Sequence, residues 1–290
     1  MNDKLCVTSG SKYTDIDVLA CAIAFAELKD CIAFLPGVLN ATIPNRVRQW
    51  NFSYTTEFPT SAEQFVIVDV SAPAFIPKQI SHDKIIKIYD HRPGFEDFWG
   101  ERGQIEFIGS CATMIYELFG DKAPTATTAN LLATAIFANT LNFKAGVTTI
   151  RDIAAYKKLK QYTNLPENWV EQYYADVEKT MLSDIQSSIE NDTKILADNL
   201  VVGQMEQWDA TTLLNNVGFQ KALEAVMSGY ENWFMNMPSI KHGQSYFIAK
   251  SESMKNLLTN GLGVKWTGDI GIADKLYLRK EIFKICKILG

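Results

Sequence analysis

Residues 85–93 have the sequence Ile-Ile-Lys-Ile-Tyr-Asp-His-Arg-Pro, and the interpretation of the whole chain starts from this stretch. Its first part is apolar and β-branched, which predicts a buried strand over Lys84–Tyr89. Three polar side chains then follow at the end of that strand: Asp90, His91 and Arg92. Open α/β sheets bind their ligands at the carboxyl ends of strands. The stretch therefore predicts both a strand and a ligand site beside it.

The residue types at this strand end suit metal and phosphate. A neutral imidazole such as that of His91 is a good ligand for Mn²⁺ or Zn²⁺, and the planar guanidinium of Arg92 matches phosphate oxygens. The alternative is a capping Asp90 beside an ordinary surface histidine and arginine. The nine residues alone leave both interpretations open.

The same pattern of apolar strands and helices extends through the first two-thirds of the chain. Continuous apolar runs separated by helical segments predict a parallel sheet with helices on both faces. The predicted strands are Leu5–Val7, Cys31–Phe34 and Phe65–Val70, and the predicted helices are Asp17–Leu28, Thr113–Phe119 and Thr127–Phe137. Asp69 stands at the end of one of these strands, where it is either a ligand or a turn-forming residue.

The last third of the chain has a different composition. Asp176–Glu190 is polar, helix-prone and free of Gly and Pro, which predicts a helical linker at residues 179–190 between domains 1–178 and 191–290. The second domain is predicted to be smaller, with mixed α/β structure. Its predicted helix is Gly218–Met227, and its predicted strands are Lys194–Leu196, Leu200–Met205, Ser245–Ala249, Gly263–Trp266 and Ile282–Cys286.

Two further segments carry candidate chemistry. Asp15 and Asp17 lie two residues apart where a strand gives way to a helix, and paired carboxylates there can hold Mg²⁺ or Mn²⁺. The simpler alternative is that Asp17 caps the helix. Gly109–Thr113 consists of small residues that open a helix, and its N–H groups either cradle a phosphate or allow close packing. Cys111 in this segment has no histidine near it in sequence to act as a base.

Composition excludes several classes of protein. The net charge of -5 gives no general attraction to nucleic acid or to an anionic membrane, so local basic residues must hold any anionic ligand. The five cysteines are scattered and never form a C-x-x-C pair, which predicts reduced thiols in a cytoplasmic compartment. No apolar run reaches the length of a membrane span, and no signal peptide is visible. We expect a cytoplasmic protein without membrane or nucleic-acid partners.

Taken in order, the motifs resemble those of the DHH phosphoesterase superfamily. Gly10–Asp17 resembles its glycine-His-x-x-x-Asp-x-Asp segment, Asp69 its isolated strand-end Asp, and Asp90-His91-Arg92 its Asp-His-His. Gly109–Thr113 resembles its Gly-Ser-Cys-Ala-Thr segment. Ala135–Lys144 is similar to a segment of the manganese-dependent (family II) inorganic pyrophosphatases. The last hundred residues are similar to their DHHA2 domain, including Lys194 and Leu278-Arg279-Lys280.

Three departures from the family pattern affect the expected activity. Ser11 stands where the family has a metal-binding His, and Asn139 stands where it has a metal-binding Asp. Asn139 still offers a carbonyl oxygen, but without charge. Arg92 replaces the second His of Asp-His-His, a change shared with the prune-type exopolyphosphatases. The resemblance thus implies a metal site with two fewer of its usual ligands.

The resemblance also implies a mechanism and a set of site residues. The enzyme would hydrolyse a phosphoanhydride, pyrophosphate or short-chain polyphosphate, in the cleft between its domains with Mn²⁺, or alternatively Mg²⁺ or Co²⁺. The metal ligands would be Asp15, Asp17, Asp69, Asp90 and His91, with Asp69 bridging two ions and Asp90 a weaker ligand that orients His91. Phosphate would be bound by Arg92, Lys194, Arg279 and Lys280. The resemblance also allows a homodimer formed through the N-terminal domain.

Two other functions compete with the hydrolase. The losses at Ser11 and Asn139 suit a degenerate protein that binds phosphate-containing ligands in a regulatory role. The lone basic residues of the second domain then belong to a solvated surface. A nuclease for short oligonucleotides is the third possibility, but the C-terminal half has no Gly-Gly-x-x run and the chain is acidic.

Overall fold

The computed structural model describes residues 2–196 and 200–288 of the protein. The chain forms two compact units. The first consists of Met1–Phe143 and Val147–Val170, and the second of Lys144–Gly146 and Glu171–Gly290. Within the described ranges, no helix combines the length and the apolar composition that a membrane crossing requires.

The first unit is built on a parallel sheet. Its strands are β1 (Asn2–Thr8), β2 (Tyr13–Thr14), β3 (Cys31–Phe34), β4 (Val38–Leu39), β5 (Gln64–Val68), β6 (Ile85–Asp90) and β7 (Gly103–Ile105). Five of them form one sheet in the order β3-β1-β5-β6-β7 with all pairs parallel, while β2 and β4 pair separately. The inner strands are nearly continuous apolar runs because a parallel sheet is covered on both faces.

The helices of the first unit are α1 (Ile16–Lys29), α2 (Asn45–Arg48), α3 (Glu96–Trp99), α4 (Cys111–Glu117), α5 (Ala126–Asn139) and α6 (Ile150–Leu159). α1 is buried along its whole first part, from Ile16 to Phe25, and it packs against α4 and α5. A helix that is apolar on all sides is expected in such a central position. Short 3₁₀ turns cover Pro73–Phe75, His82–Lys84 and Gly100–Arg102.

A helix at the boundary, α7 (Trp169–Ser183), begins in the first unit and continues in the second. It is followed by α8 (Ile185–Asn191), α9 (Thr211–Leu214), α10 (Val217–Val226), α11 (Glu252–Leu262) and α12 (Arg279–Cys286). The residues predicted to form a linker, 179–190, therefore lie in the second unit, mostly in helical structure.

The second unit contains a mixed sheet. Its strands are β8 (Thr193–Ile195), β9 (Val201–Gln204), β10 (Trp233–Ser239), β11 (Gln244–Ile248), β12 (Lys265–Thr267) and β13 (Ile270–Ala273). They are ordered β12-β13-β11-β10-β9-β8, and the β9–β10 pair is parallel while the other pairs are antiparallel. The predicted α/β fold, with a parallel N-terminal sheet and a smaller mixed second domain, is confirmed.

One predicted element is wrong. Ile282–Cys286 was expected to be a strand, but these residues form the greater part of α12. The apolar residues in this segment recur at helical spacing: Ile282 is buried, and Ile282 and Cys286 contribute to the apolar core of the unit one helical turn apart. Glu281 accepts a hydrogen bond from the backbone N–H of Leu278 at 2.8 Å, which closes the first turn.

Candidate metal centre

Three predicted ligand residues come from three neighbouring segments of the first sheet. Asp17 lies in the first turn of α1, which comes after β1 and the short strand β2; Asp69 follows β5 directly; His91 follows β6 directly. Because β1, β5 and β6 are adjacent and parallel, their carboxyl ends share one edge of the sheet. The topology therefore brings together side chains that are 22 to 74 residues apart in sequence.

The ligand atoms of these three side chains converge. One ligand atom from each of Asp17, Asp69 and His91 lies within 4.8 Å of the others. His91 Nε2 is 3.1 Å from Asp69 Oδ1 and 3.9 Å from Asp17 Oδ2. All three residues are buried, and in the described part of the chain no other group of three or more His, Cys, Asp or Glu side chains is arranged in this way. Two carboxylates and one imidazole form a donor set that suits a divalent transition metal.

Asp17 is held in place by the first turn of α4. Its Oδ1 accepts hydrogen bonds from the hydroxyl of Ser110 and the N–H of Ala112, both at 2.9 Å, and its Oδ2 accepts one from the N–H of Cys111 at 3.0 Å. Burial raises the pKa of Asp17 well above its usual value, and the charges of Asp69 and Asp15 raise it further. A nearby cation would favour the ionised form of this carboxylate.

These contacts decide between the two interpretations of Gly109–Thr113. The N–H groups of Cys111 and Ala112 bind the Asp17 carboxylate, and those of Gly109 and Ser110 bind the carboxylate of Asp152. The donors that were a candidate phosphate cradle are thus occupied by protein carboxylates. The small residues at this helix start serve to bring the backbone close to them.

The ring of His91 has one nitrogen tied to the protein and one directed to the carboxylates. Its Nδ1 lies 3.0 Å from the carbonyl oxygen of Gly109, which can only accept, so Nδ1 carries the proton. The lone pair of neutral imidazole is then on Nε2, the atom that faces Asp69 and Asp17. Metal-binding histidines are commonly oriented in this way, with the other ring nitrogen donating to a carbonyl.

Asp69 occupies an unusual backbone conformation, with φ at 55°. Asp tolerates the left-handed region better than most residues because its short side chain bonds locally. The Asp69 N–H still donates to the carbonyl of Tyr89 at 2.8 Å, so β5–β6 pairing continues to this point. The turn of the chain directs the carboxylate toward His91, and the strain is located where a ligand is needed.

Arg92 and Asp90 form the polar layer next to these ligands. Nη2 of Arg92 lies 3.2 Å from Asp69 Oδ1 and also donates to the Asp69 carbonyl, while its Nε donates to Asp90 at 3.1 Å. Asp90 accepts from the hydroxyl of Ser71 at 2.6 Å and from the backbone N–H of His91 at 2.8 Å. Asp90 therefore contacts the main chain of His91, whereas Gly109 orients the ring.

Asp15 is not among the three converging ligands, and Ser11 and Asn139 make hydrogen bonds elsewhere. Asp15, and not Asp17, is the N-cap of α1: its Oδ1 accepts from the N–H of Val18 at 2.9 Å. The hydroxyl of Ser11 donates to the carbonyl of Phe75 at 3.4 Å, and the amide of Asn139 donates to Ala135 in its own helix at 3.3 Å. A role for Asp15 as a metal ligand stays a prediction.

In the second unit, the predicted phosphate-binding residues differ in environment. The guanidinium of Arg279 bonds to both the carbonyl and the carboxylate of Asp192, at 2.6 and 2.9 Å, and its side chain is 11% exposed. This pairing connects the first residue of α12 to Asp192, the residue that precedes β8. Lys194 in β8 and Lys280 in α12 are partly buried.

The carboxyl of Glu206 lies near this ion pair and has a shifted pKa. Burial, followed by the charge of Asp192, raises the pKa of Glu206 to about 7, although Arg279 and a hydrogen bond from Gln204 act in the opposite direction. A carboxyl group whose pKa is higher in the folded protein than its unfolded value of about 4.3 contributes its full stabilisation only below about pH 4.3. The contribution is lost as the pH rises through about 7.

We therefore expect Glu206→Gln to stabilise the protein by about 3 kcal/mol at pH 8 and by only about 1 kcal/mol at pH 5, because glutamine mimics the protonated acid. The free energy of unfolding in urea at the two pH values measures this difference. Glu224→Gln, at an exposed glutamate of the same unit, is the control and should show none. An equal effect of Glu206→Gln at both pH values would contradict the prediction.

The chain is similar in sequence to proteins named as pyrophosphatases. The chain is 26% identical over 237 residues to a probable manganese-dependent inorganic pyrophosphatase of Clostridium acetobutylicum, covering 72% of this chain and 74% of that one. It is also 26% identical over 235 residues to the probable enzyme of Enterococcus faecalis, covering 76% and 75%. No protein-family model matches the chain.

Two solved structures share the fold. A protein from Methanococcus jannaschii assigned provisionally to the family II inorganic pyrophosphatases superposes with a TM-score of 0.70 at 23% identity over 96% of each chain. An exopolyphosphatase-related protein from Bacteroides fragilis superposes with a TM-score of 0.53 at 12% identity, covering 98% of this chain and 91% of that one. The chain therefore has the family II pyrophosphatase fold and resembles the manganese-dependent inorganic pyrophosphatases of the DHH superfamily, as its motif order predicted.

Proposed function

We propose that this protein is a Mn²⁺-dependent phosphohydrolase whose substrate is a phosphoanhydride, pyrophosphate or a short polyphosphate. The observation that carries the proposal is the convergence of Asp17, Asp69 and His91 within 4.8 Å in a buried position. The sequence similarity to proteins named as manganese-dependent pyrophosphatases supports the choice of metal and substrate.

The residues present fit a divalent ion. The raised pKa of Asp17 reflects buried negative charge, and a cation next to Asp17 and Asp69 would relieve it. The imidazole of His91 directs the lone pair of its Nε2 atom toward Asp69. When bound, a divalent ion lowers the pKa of an attacking water and stabilises the charge that develops on phosphate oxygens. Asp15, Asp90 and Asn139 are proposed as outer or weaker ligands.

The chain's own cations are proposed to bind the phosphates. Arg92 is 36% exposed while it contacts Asp69 and Asp90, so the carboxylates fix its guanidinium next to the proposed metal and leave part of it accessible. Lys194 and Lys280 of the second unit are proposed as further phosphate ligands. The guanidinium of Arg92 is planar, and because two carboxylates hold it, it would bind phosphate oxygens in a defined orientation.

Arg92→Lys should therefore weaken substrate binding more than metal binding. Lysine keeps the charge but loses the fork, so we expect the KM for pyrophosphate to rise by about tenfold. The Mn²⁺ affinity, measured by calorimetry, should change by less than about threefold, since a guanidinium is never a metal ligand. Loss of Mn²⁺ binding in a folded Arg92→Lys protein would contradict the role given to Arg92.

Arg279 and Lys280 provide a matched comparison in the second unit. We expect Arg279→Gln to lower the free energy of unfolding by roughly 3 kcal/mol, because it leaves the largely buried Asp192 without its cation. Lys280→Gln should instead raise the KM and leave stability unchanged within about 0.5 kcal/mol. If Arg279→Gln raised the KM at unchanged stability, the direct phosphate role implied by the family resemblance would be supported over this assignment.

The activity itself is tested by phosphate release. The purified protein is freed of metal with a chelator, and then given pyrophosphate or tripolyphosphate with Mn²⁺, Mg²⁺ or Co²⁺. We expect phosphate release that requires an added divalent ion and is greatest with Mn²⁺. Absence of release from both substrates at all metal concentrations would contradict the proposal.

A second candidate function rests on Ser11 and Asn139, which replace two metal ligands of the family. Under this alternative the protein binds metal and phosphate compounds in a regulatory role and turns them over slowly or not at all. The same experiment separates the two functions when it is combined with calorimetry. Binding of Mn²⁺ and pyrophosphate without phosphate release favours the regulatory protein.

A further inference from the structure

Asp152 is a fully buried carboxylate that the sequence motifs do not single out. It lies in the first turn of α6, where it forms a capping box with Thr149: its Oδ2 accepts from the N–H and the hydroxyl of Thr149, both at 2.8 Å. A capping box needs no contacts beyond its own turn. Complete burial of Asp152 therefore indicates an additional role.

The additional contacts of Asp152 are with the segment that begins α4. Its Oδ2 also accepts from the N–H of Gly109 at 3.1 Å, and its Oδ1 accepts from the N–H of Ser110 at 3.3 Å and the hydroxyl of Thr113 at 2.7 Å. Five hydrogen bonds thus converge on one carboxylate. Three of them reach residues about forty positions earlier in the chain.

The segment that Asp152 holds is also the one that holds two of the proposed metal ligands. Gly109 contacts His91 Nδ1 through its carbonyl, and Ser110, Cys111 and Ala112 donate to Asp17. Asp152 itself is absent from the group of converging ligands. It is connected to Asp17 through Ser110 and to His91 through Gly109, with one residue between in each case.

The contact between Asp152 and the segment leaves no room for a side chain at Gly109. A Cβ atom added to Gly109 would lie 2.6 Å from Asp152 Oδ2 and 2.6 Å from the methyl group of Thr140. Glycine is needed here because the backbone comes so close to the carboxylate. The position of the segment is thus fixed from one side by Asp152 and from the other by Asp17 and His91.

We propose that Asp152 is a positioning residue of the metal site: by fixing Gly109–Thr113 it sets the geometry of Asp17 and His91 and thereby the affinity for the divalent ion. The effect on metal affinity rests on the proposed function, whereas the fixing of Gly109–Thr113 by Asp152 does not. Metal titration and hydrogen exchange measure these two effects separately.

Asp152→Asn is the direct variant. Asparagine has one acceptor oxygen where aspartate has two, so its NH₂ group must face a backbone N–H of Gly109 or Ser110, and that donor loses its partner. We expect Mn²⁺ affinity at 25 °C to fall about 10- to 100-fold, the loss typical when a partner that orients a ligand is removed. The measurement is a calorimetric or EPR titration of the folded protein.

Glu27→Gln is the matched control. Glu27 also accepts a backbone N–H and two hydroxyls, from Thr125 and Thr128, and also joins two helices of the first unit. It lies near the end of α1, ten residues and about 15 Å along the helix from Asp17. We expect the Mn²⁺ affinity of the Glu27→Gln protein to stay within about twofold of the wild type. This should hold even if the variant melts at as low a temperature as Asp152→Asn.

Thr113→Val provides a milder second variant, should Asp152→Asn fail to fold. It removes the hydrogen bond from the Thr113 hydroxyl to Asp152 and leaves the donors to Asp17 in place, and we expect a loss of Mn²⁺ affinity of about threefold. Equal Mn²⁺ affinities of the wild type and the folded Asp152→Asn or Thr113→Val protein would overturn the inference.

Hydrogen exchange in the metal-free protein tests whether Asp152 fixes the segment Gly109–Thr113. The amides of Cys111 and Ala112 should exchange at least about tenfold faster in Asp152→Asn than in the wild type or in Glu27→Gln. If the wild type bound no Mn²⁺, the proposed function would fail, and exchange alone would decide: faster exchange supports the fixing role of Asp152, and unchanged exchange overturns it.

Discussion

Replacing Asp69 by Asn should abolish Mn²⁺ binding and phosphate release together. Asp69 Oδ1 lies between His91 Nε2 at 3.1 Å and Arg92 Nη2 at 3.2 Å, at the centre of the proposed site. Asparagine offers one neutral oxygen in place of a charged pair of oxygens, so a ligand that faces a cation is lost. The loss should exceed the roughly 10- to 100-fold effect of removing an outer partner of a metal ligand.

The substitution is informative because asparagine also tolerates the left-handed backbone conformation that Asp69 adopts. The turn after β5 should therefore be retained, and circular dichroism should be unchanged. Asp121→Asn, at an exposed position of the same unit, is the control and should retain both metal binding and activity. Full activity of a folded Asp69→Asn protein would rule out Asp69 as a ligand.

Introducing the two metal-binding residue types of the pyrophosphatases that the chain resembles should have the largest effect in the opposite direction. We expect Ser11→His with Asn139→Asp to raise Mn²⁺ affinity by at least about tenfold and to speed pyrophosphate hydrolysis. Neither side chain supports the buried core: Ser11 is exposed, and Asn139 is partly buried with its amide bonded to Ala135 of its own helix. Both can therefore be changed without breaking the buried network around Asp17.

The single variants make the double variant easier to interpret. Asn139→Asp places a negative charge at the carboxyl end of α5, which costs about 0.3–1 kcal/mol without a cation. Asn139→Asp alone should thus be stabilised by Mn²⁺ more than the wild type is. If both positions act on one shared site, the two changes should be non-additive. Unchanged metal stoichiometry and rate in the double variant would indicate that other groups already complete the site.

Much of the first unit is predictable from sequence because its strands are buried on both faces. The strand Cys31–Phe34 was predicted with its actual bounds, and the predicted strands that end near Asp69 and Asp90 were correct within one or two residues. The segment at 282–286 was wrong because a short apolar run suits a strand and a buried helix equally. Its capping contact at Glu281 is the signal that would have favoured the helix.

The candidate site was predictable only where strand ends and motif order mark it. Asp17, Asp69 and His91 follow strands, and the parallel sheet brings them together. Asp152 neither follows a strand nor belongs to one of the motifs. The sequence Thr149-Ile150-Arg151-Asp152 indicates only a helix cap. Its contact with Gly109 depends on tertiary packing, which spacing in the sequence does not encode.

Arg279 shows the same limit in the second unit. Its place in Leu278-Arg279-Lys280 indicated a phosphate ligand, but the structure pairs its guanidinium with Asp192, 87 residues away. An arginine that binds a protein carboxylate and one that binds a phosphate use the same fork. Residue type and motif position therefore do not distinguish the two roles.

The central claim is that Asp17, Asp69 and His91 jointly bind a divalent ion, and anomalous diffraction at the manganese edge tests it most directly. Crystals grown with Mn²⁺ should show an anomalous peak at roughly metal–ligand distance, about 2.0–2.6 Å, from an oxygen of Asp69 and from His91 Nε2. Asp17 should contact the same peak or one adjacent to it. A fully occupied Mn²⁺ elsewhere, with no peak near these three side chains, would contradict the account.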